Sequence, residues 1–177
     1  MKFIETKIKD LFIIEPDLNI DKRGYFARFF CEKEFKKIGL NFKIIQTNLS
    51  FTNKKGTIRG MHFQKLPKAE DKIVHCIRGA IYDIVIDLRK NSSTYRQWVS
   101  IELNEENKKM LYIPKGFAHG FQCLSDNCEV LYFMSEFYSP EHESGVRWND
   151  SFFDIKWPIE NPILSKKDKS WSLIKSK

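Results

Sequence analysis

The run KKGTIRGMHFQK, residues 54–65, places an arginine, two glycines and a histidine in one short stretch between segments that alternate apolar and polar side chains. Arg59 is a forked donor of the kind that matches phosphate. His62 is open to three uses: metal ligand, general base with a pKa of about 6.5, or a histidine that packs. Two further cationic or titratable side chains sit in apolar runs downstream, Lys72 in KIVHCIR (72–78) and His119 in FAHGFQCL (117–124). Tyr132 lies in EVLYFM (129–134) and offers a phenolic proton.

The elements that must hold these residues are short strands. KIIQTNLSF (43–51), 72–78, AIYDIVIDL (80–88), QWVSIEL (97–103), MLYIP (110–114), 117–124 and 129–134 recur every 8 to 16 residues, with Gly, Asn, Asp or Pro between most of them. CEKEFKKIG (31–39) is the best helix candidate. Many strands with few helices predict a β-sandwich or barrel, and aromatic residues at 14% are enough to line a cavity inside it. Alternation then assigns faces. Phe117, His119, Phe121 and Cys123 share one face, as do Val130, Tyr132 and Met134. Lys72 shares a face with Val74 and Cys76, where a lone lysine is costly unless it has a function. His75 falls on the other face and is not expected to be a ligand. His62 and Gln64 point the same way; Arg59 has the opposite parity, and a bulge at Gly60 would turn both Arg59 and His62 inward.

A chain of 177 residues with 42% hydrophobic side chains can bury one substantial core, so residues 1–177 are expected to form a single domain. No apolar run approaches the roughly 18 residues of a membrane span, and MKFIETKIKD lacks a signal-peptide core, so a cytoplasmic location is expected. The four cysteines, Cys31, Cys76, Cys123 and Cys128, form no CxxC or zinc spacing and read as small, mostly buried hydrophobes. The net charge of +7 suits an anionic ligand. No helix-turn-helix, zinc finger or ribonucleoprotein signature points to nucleic acid, and a few convergent cations suit a nucleoside diphosphate better than a polymer. The charge in KKDKSWSLIKSK at the C-terminus reads as solvated.

The spacing around His62 resembles a metal-binding cupin with its metal set broken. Gly56 stands six residues before His62, and PKGFAH (114–119) completes the second cupin motif at His119. The second histidine of the first motif is Gln64, and Lys72 stands where the glutamate belongs. A cation there opposes binding of another, so no metal is expected. The metal-free pattern resembles the dTDP-4-dehydrorhamnose 3,5-epimerases of bacterial deoxysugar synthesis. The likeness runs through DKRGYFARFF (21–30), QTNLS (46–50), RGMHFQ (59–64), DKIVHC (71–76), YDIVIDLRKNSSTYRQW (82–98), IPKGFAHGF (113–121), FYSPEHESGVRWND (137–150) and ILSKKD (163–168).

That resemblance implies an all-β, cupin-type jelly-roll barrel with a few short helices, acting without a cofactor as a homodimer on a nucleotide-linked 4-keto-6-deoxy sugar. It implies His62 as general base oriented by Asp168, with Tyr132 as the acid on the opposite face of the ring. Lys72 and His119 would lie near the sugar oxygens. Arg23, Gln46, Asn48, Arg59, Glu143 and Lys167 would hold the nucleotide and sugar, with Tyr138 near the ring. The residue types suit the chemistry: a C4 ketone acidifies C3 and C5, a histidine removes the proton, a fixed cation stabilises the enolate, and inversion needs a donor on the other face. Alternatives in the same superfamily are a single-position epimerase and a 3,4-ketoisomerase, the latter disfavoured by Gln64; outside catalysis, a nucleotide-sugar-binding cupin remains.

The pattern DxRGxFxExF usually carries a glutamate where this chain has Arg28. An arginine only donates, so at a base-recognition position it would favour carbonyl or ring-nitrogen acceptors; otherwise it points to solvent or pairs with a carboxylate such as Glu32. Arg89 and Lys90 read as a solvated turn, His142 as exposed, and Trp148 and Trp157 as core.

Overall fold

A computed structural model describes residues 1–174. Two antiparallel sheets face each other. The first holds six strands in the order β1 (Lys2–Glu5), β2 (Phe12–Glu15), β10 (Met110–Ile113), β7 (Lys72–Arg78), β12 (Cys128–Met134) and β5 (Gln46–Thr52). The second holds five, in the order β13 (Glu143–Gly145), β6 (Ile58–Gln64), β11 (Phe117–Cys123), β8 (Ala80–Asp87) and β9 (Trp98–Asn104). This is a cupin-type jelly roll. A separate hairpin, β3 (Leu18–Asp21) with β4 (Gly24–Ala27), turns at Arg23, whose backbone N–H donates to the Asp21 carboxylate. Two short helices, α1 (Glu32–Lys37) and α2 (Lys166–Ser170), complete the elements with one 3-10 turn at Pro140–His142.

The apolar face of each alternating strand meets the other sheet. Val74, Cys76 and Val130 of the six-stranded sheet pack with Ile81, Val85, Phe117, Phe121 and Cys123 of the five-stranded one. Outside the six-stranded sheet, α1 seats Phe35 against Phe42, Tyr112 and Phe3. The expected strands are present with small shifts; residues 43–45 are irregular, and that strand begins at Gln46. Strands β1 to β4, β13 and helix α2 were not anticipated. No described helix is long and apolar enough to cross a membrane.

Cys76, Cys123 and Cys128 are buried and Cys31 partly so, all with free thiols. His75 is buried against Phe29, its ring stacked at 4.8 Å, and burial lowers its pKa to about 4. Of the charged turn, Lys90 is exposed but Arg89 is not simply solvated. The carboxylate of Asp87, fully buried at the end of β8, needs a cation, and Arg89 reaches back to it at 2.9 Å while also pairing with Asp10 at 2.7 Å. His142 is half-buried, accepting or donating at Nδ1 to the Ser139 hydroxyl. Trp157 packs on the outer cluster around Met61, whereas Trp148 is half-exposed and receives the Trp157 indole N–H at its carbonyl. Residues 175–177 of the charged C-terminal stretch lie outside the described residues.

Candidate active site

A cavity of about 400 Å³ opens between the two sheets, and every sequence-derived candidate except Arg23 and Arg28 lines it: His62, Tyr132, Asp168, Gln46, Asn48, Arg59, Lys72, His119, Tyr138, Glu143 and Lys167. The entry of both Arg59 and His62 depends on one extra residue in β6. His119 pairs with His62, and Phe121 with Arg59, so three steps along β6 match two along β11. Gly60 occupies this bulge with φ of +120°, and a Cβ there would lie 2.6 Å from the Gly120 Cα. Only glycine fits.

His62 is half-exposed to the cavity, and its Nε2 lies 2.5 Å from Oδ1 of the buried Asp168. Helix α2 delivers that carboxylate. The Ser165 hydroxyl caps the helix by accepting the Asp168 backbone N–H at 3.0 Å. Burial alone would raise the Asp168 pKa, but the bond to His62, its charge, Ser165 and the Gly60 backbone N–H hold the carboxyl below its ordinary value. An ionised Asp168 accepts from Nε2–H and leaves the lone pair on the other imidazole nitrogen, which is the base-competent tautomer. Trp171 stands edge-on to the His62 ring at 6.1 Å. It can lie there because Gly145 has no side chain; a Cβ would fall 2.4 Å from the indole.

Tyr132 comes from β12, in the opposite sheet. Burial pushes its phenol up against the opposing pull of Ser50, so it holds its proton at neutral pH. The imidazole of His62 and the protonated phenol of Tyr132 therefore stand on facing walls of one cavity. Beside Tyr132, in edge-to-face contact at 6.4 Å, is His119, whose Nε2 is 2.8 Å from Asp83. Burial raises the Asp83 pKa against the pull of His119 and Lys72. Lys72, on β7, has its ammonium 2.8 Å from Glu70.

The mouth carries the remaining polar groups. Glu143 accepts from the Tyr138 hydroxyl at 2.9 Å and from Lys167 at 2.5 Å. Gln46 donates to Asn48 and accepts the Tyr138 backbone N–H. Arg59 is tethered through Nε to the Thr52 hydroxyl and through one terminal nitrogen to the Phe51 carbonyl, which leaves its other terminal nitrogen without a hydrogen-bond partner among the described residues. Gln64, at the position of a second cupin histidine, instead clamps the following loop, donating to the Lys68 carbonyl and accepting the Ser139 N–H. Among the described residues no three His, Cys, Asp or Glu side chains converge to hold a metal.

Arg23 and Arg28 lie elsewhere. Arg23 forks onto Asp21 within the hairpin turn and is 84% exposed. Arg28 pairs with Glu34 at 2.7 Å, not with Glu32, which is taken by Lys36. Within one chain, then, Arg28 meets a carboxylate on α1 and does not reach the cavity that holds His62. Sequence reading missed Glu70, Asp83, Ser165 and Trp171. The first two were accessible to it: Glu70 shares parity with Lys72, and Asp83 is an acid on the inward face of β8 with Ile81 and Val85.

The model of the dTDP-4-dehydrorhamnose 3,5-epimerase family matches residues 5–176. The enzyme of that name from Methanothermobacter thermautotrophicus is 44% identical over 173 residues, covering 96% of this chain and 92% of its own. A crystal structure of the Bacillus anthracis enzyme with TDP and pyrophosphate bound superposes with a TM-score of 0.95 at 44% identity, over 98% of this chain and 99% of that one. A Legionella pneumophila epimerase in complex with dTDP-4-keto-L-rhamnose gives 0.91 at 37% identity, over 97% and 92%.

Proposed function

The chain belongs to the dTDP-4-dehydrorhamnose 3,5-epimerase family, and on that premise we propose that it inverts C3 and C5 of dTDP-4-dehydro-6-deoxyglucose. The observation that carries the reading is the placement of His62 on β6 and Tyr132 on β12, one on each sheet with the cavity between. His62 takes the proton α to the C4 ketone, and the electron pair moves onto the C4 oxygen as an enolate. The Lys72 ammonium faces that oxygen and stabilises its charge, an effect strengthened by the low dielectric of the site. Tyr132 returns a proton from the other wall, so the carbon inverts. His62 is left protonated and Tyr132 as phenolate, and exchange with solvent restores both before the second carbon reacts. Arg59 supplies the diphosphate with a charged donor, and the Tyr138–Glu143–Lys167 cluster borders the sugar at the mouth. No step calls on a cofactor.

Arg23 enters this reading through a second copy of the chain. The β3–β4 hairpin that carries it exposes Ile20 at 76% and Phe26 at 75%, more apolar surface than an isolated hairpin keeps in water. A homodimer that covers this hairpin would bring Arg23 to the partner's cavity mouth.

The test is incubation with dTDP-4-dehydro-6-deoxyglucose in D₂O, followed by proton NMR. Deuterium at both C3 and C5 is expected. Deuterium at one carbon makes the protein a single-position epimerase, and none with any 4-keto nucleotide sugar leaves a binding protein.

A further inference from the structure

Glu70 lines the cavity and has no part in the reaction as described. Its Oε1 lies 2.8 Å from the Lys72 ammonium, and the two side chains are only 4% and 8% exposed. Its second oxygen, Oε2, is buried and has no hydrogen-bond partner among the described residues. The segment that presents it is fixed. Asp71, between the two, accepts the Lys115 backbone N–H at 2.8 Å and donates its own N–H to the Ser135 hydroxyl at 2.7 Å. Ser135 donates its backbone N–H in turn to the Asp71 carbonyl. These bonds fix the backbone that carries Glu70, while its side-chain torsions can turn Oε2 toward the cavity that the residue lines.

A carboxylate oxygen left bare in a protein wall is costly, and a ligand hydroxyl that donates to it recovers that cost. Resting on the epimerase reading, the substrate narrows the choice of hydroxyl. C1 carries the diphosphate, C4 is the ketone and C5 carries the methyl, so within the hexose only the C2 and C3 hydroxyls can donate. Lys72 faces the C4 oxygen, and Glu70 touches Lys72, so the hydroxyl on the neighbouring carbon is the one within reach. We propose that Glu70 is a substrate-binding residue whose free oxygen accepts the C3 hydroxyl, making that hydroxyl a requirement of the site. Its other oxygen keeps the Lys72 ammonium aimed at the enolate.

The proposal is tested by deuterium exchange at C5, a carbon that stays acidic whether or not C3 bears oxygen. The substrates are dTDP-4-dehydro-6-deoxyglucose and its 3-deoxy analogue. The wild-type enzyme is expected to exchange the analogue about 10- to 100-fold less efficiently in kcat/KM, the range set by one hydrogen bond to a charged acceptor. In Glu70→Gln the amide oxygen must face the Lys72 ammonium, which turns the NH₂ group to the position of the free oxygen. That group cannot accept. The variant is therefore expected to treat the two substrates alike, through loss on the hydroxyl-bearing one. Equal wild-type rates on both substrates would overturn the assignment without recourse to any variant. So would a preference that survives Glu70→Gln. Absence of C5 exchange in the wild type on either substrate would remove the epimerase reading and this inference together.

Discussion

Replacing Asp168 by asparagine changes almost nothing in shape and should nearly stop the reaction. The carboxylate receives the His62 ring at 2.5 Å and also the Gly60 backbone N–H. An asparagine offers one acceptor oxygen in place of two. The Gly60 N–H cannot move, because its φ of +120° and the close pass against Gly120 lock the bulge. The amide oxygen therefore stays with the backbone and the NH₂ turns to His62. An imidazole that accepts at Nε2 must carry its proton on the other nitrogen, the one facing substrate, and so has no lone pair for proton abstraction. Loss of the correct tautomer at a comparable histidine–carboxylate pair costs about 10⁴ in rate, equivalent to about 5 kcal/mol of barrier. The assay is the initial rate of deuterium incorporation at C3 and C5 in D₂O, with nucleotide affinity measured in parallel by calorimetry. Affinity for dTDP should change little, since Arg59 and the mouth residues are untouched. An Asp168→Asn enzyme that exchanges within tenfold of wild type would refute the claim that this carboxylate sets the tautomer of His62.

Tyr132→Phe should keep slow exchange and lose net inversion, because His62 still removes and returns a proton on its own wall; product formation measured against deuterium uptake separates the two, and unimpaired inversion would exclude Tyr132 as the acid. The dimer is checked by sedimentation velocity: wild type should sediment as two copies, Phe26→Glu should shift toward one, and a monomeric wild type would leave Arg23 with no route to the cavity. His75 predicts a pH effect on stability. Burial lowers its folded-state pKa from 6.5 to about 4, so between those values the unfolded chain binds a proton that the folded chain does not. Stability should then rise with pH across that window and be lost as pH falls, by about 3 kcal/mol at most. Denaturant titrations of His75→Leu should show a flatter dependence between pH 6.5 and 4 than wild type; an unchanged slope would mean His75 is not held neutral.

The parts of this molecule that were legible in its sequence are those where a side chain's cost is set by its own strand. Lys72, His119 and Tyr132 stand on faces that alternation makes inward, and polar groups there demand a function or a partner. The bulge at Gly60 was readable for the same reason, since Arg59 and His62 cannot otherwise share a face. Strands β1 and β2 were not, because four residues of KFIE or FIIE show no period, and they become strands by pairing with each other and with β10, about a hundred residues away in the chain. Two arginines show where local reading ends. Arg89 sits in a run, LRKN, that resembles a solvated turn, yet the buried acid two residues earlier compels it inward. Arg28 reads either as a base-facing donor or as the partner of a carboxylate such as Glu32, and it is Glu34 on α1 that takes it while Glu32 pairs with Lys36. In each case the deciding carboxylate is close in sequence, but which cation it pairs with is a tertiary fact. Charge partnership was thus the property least available from spacing, and it is the property that separates Arg59, tethered by a hydroxyl and a carbonyl with no ion pair among the described residues, from Arg23 and Arg28, whose charges are already met within their own chain. An anion entering the cavity of one chain finds Arg59 available and the other two engaged, so any role for them requires a partner surface that competes with Asp21 and Glu34.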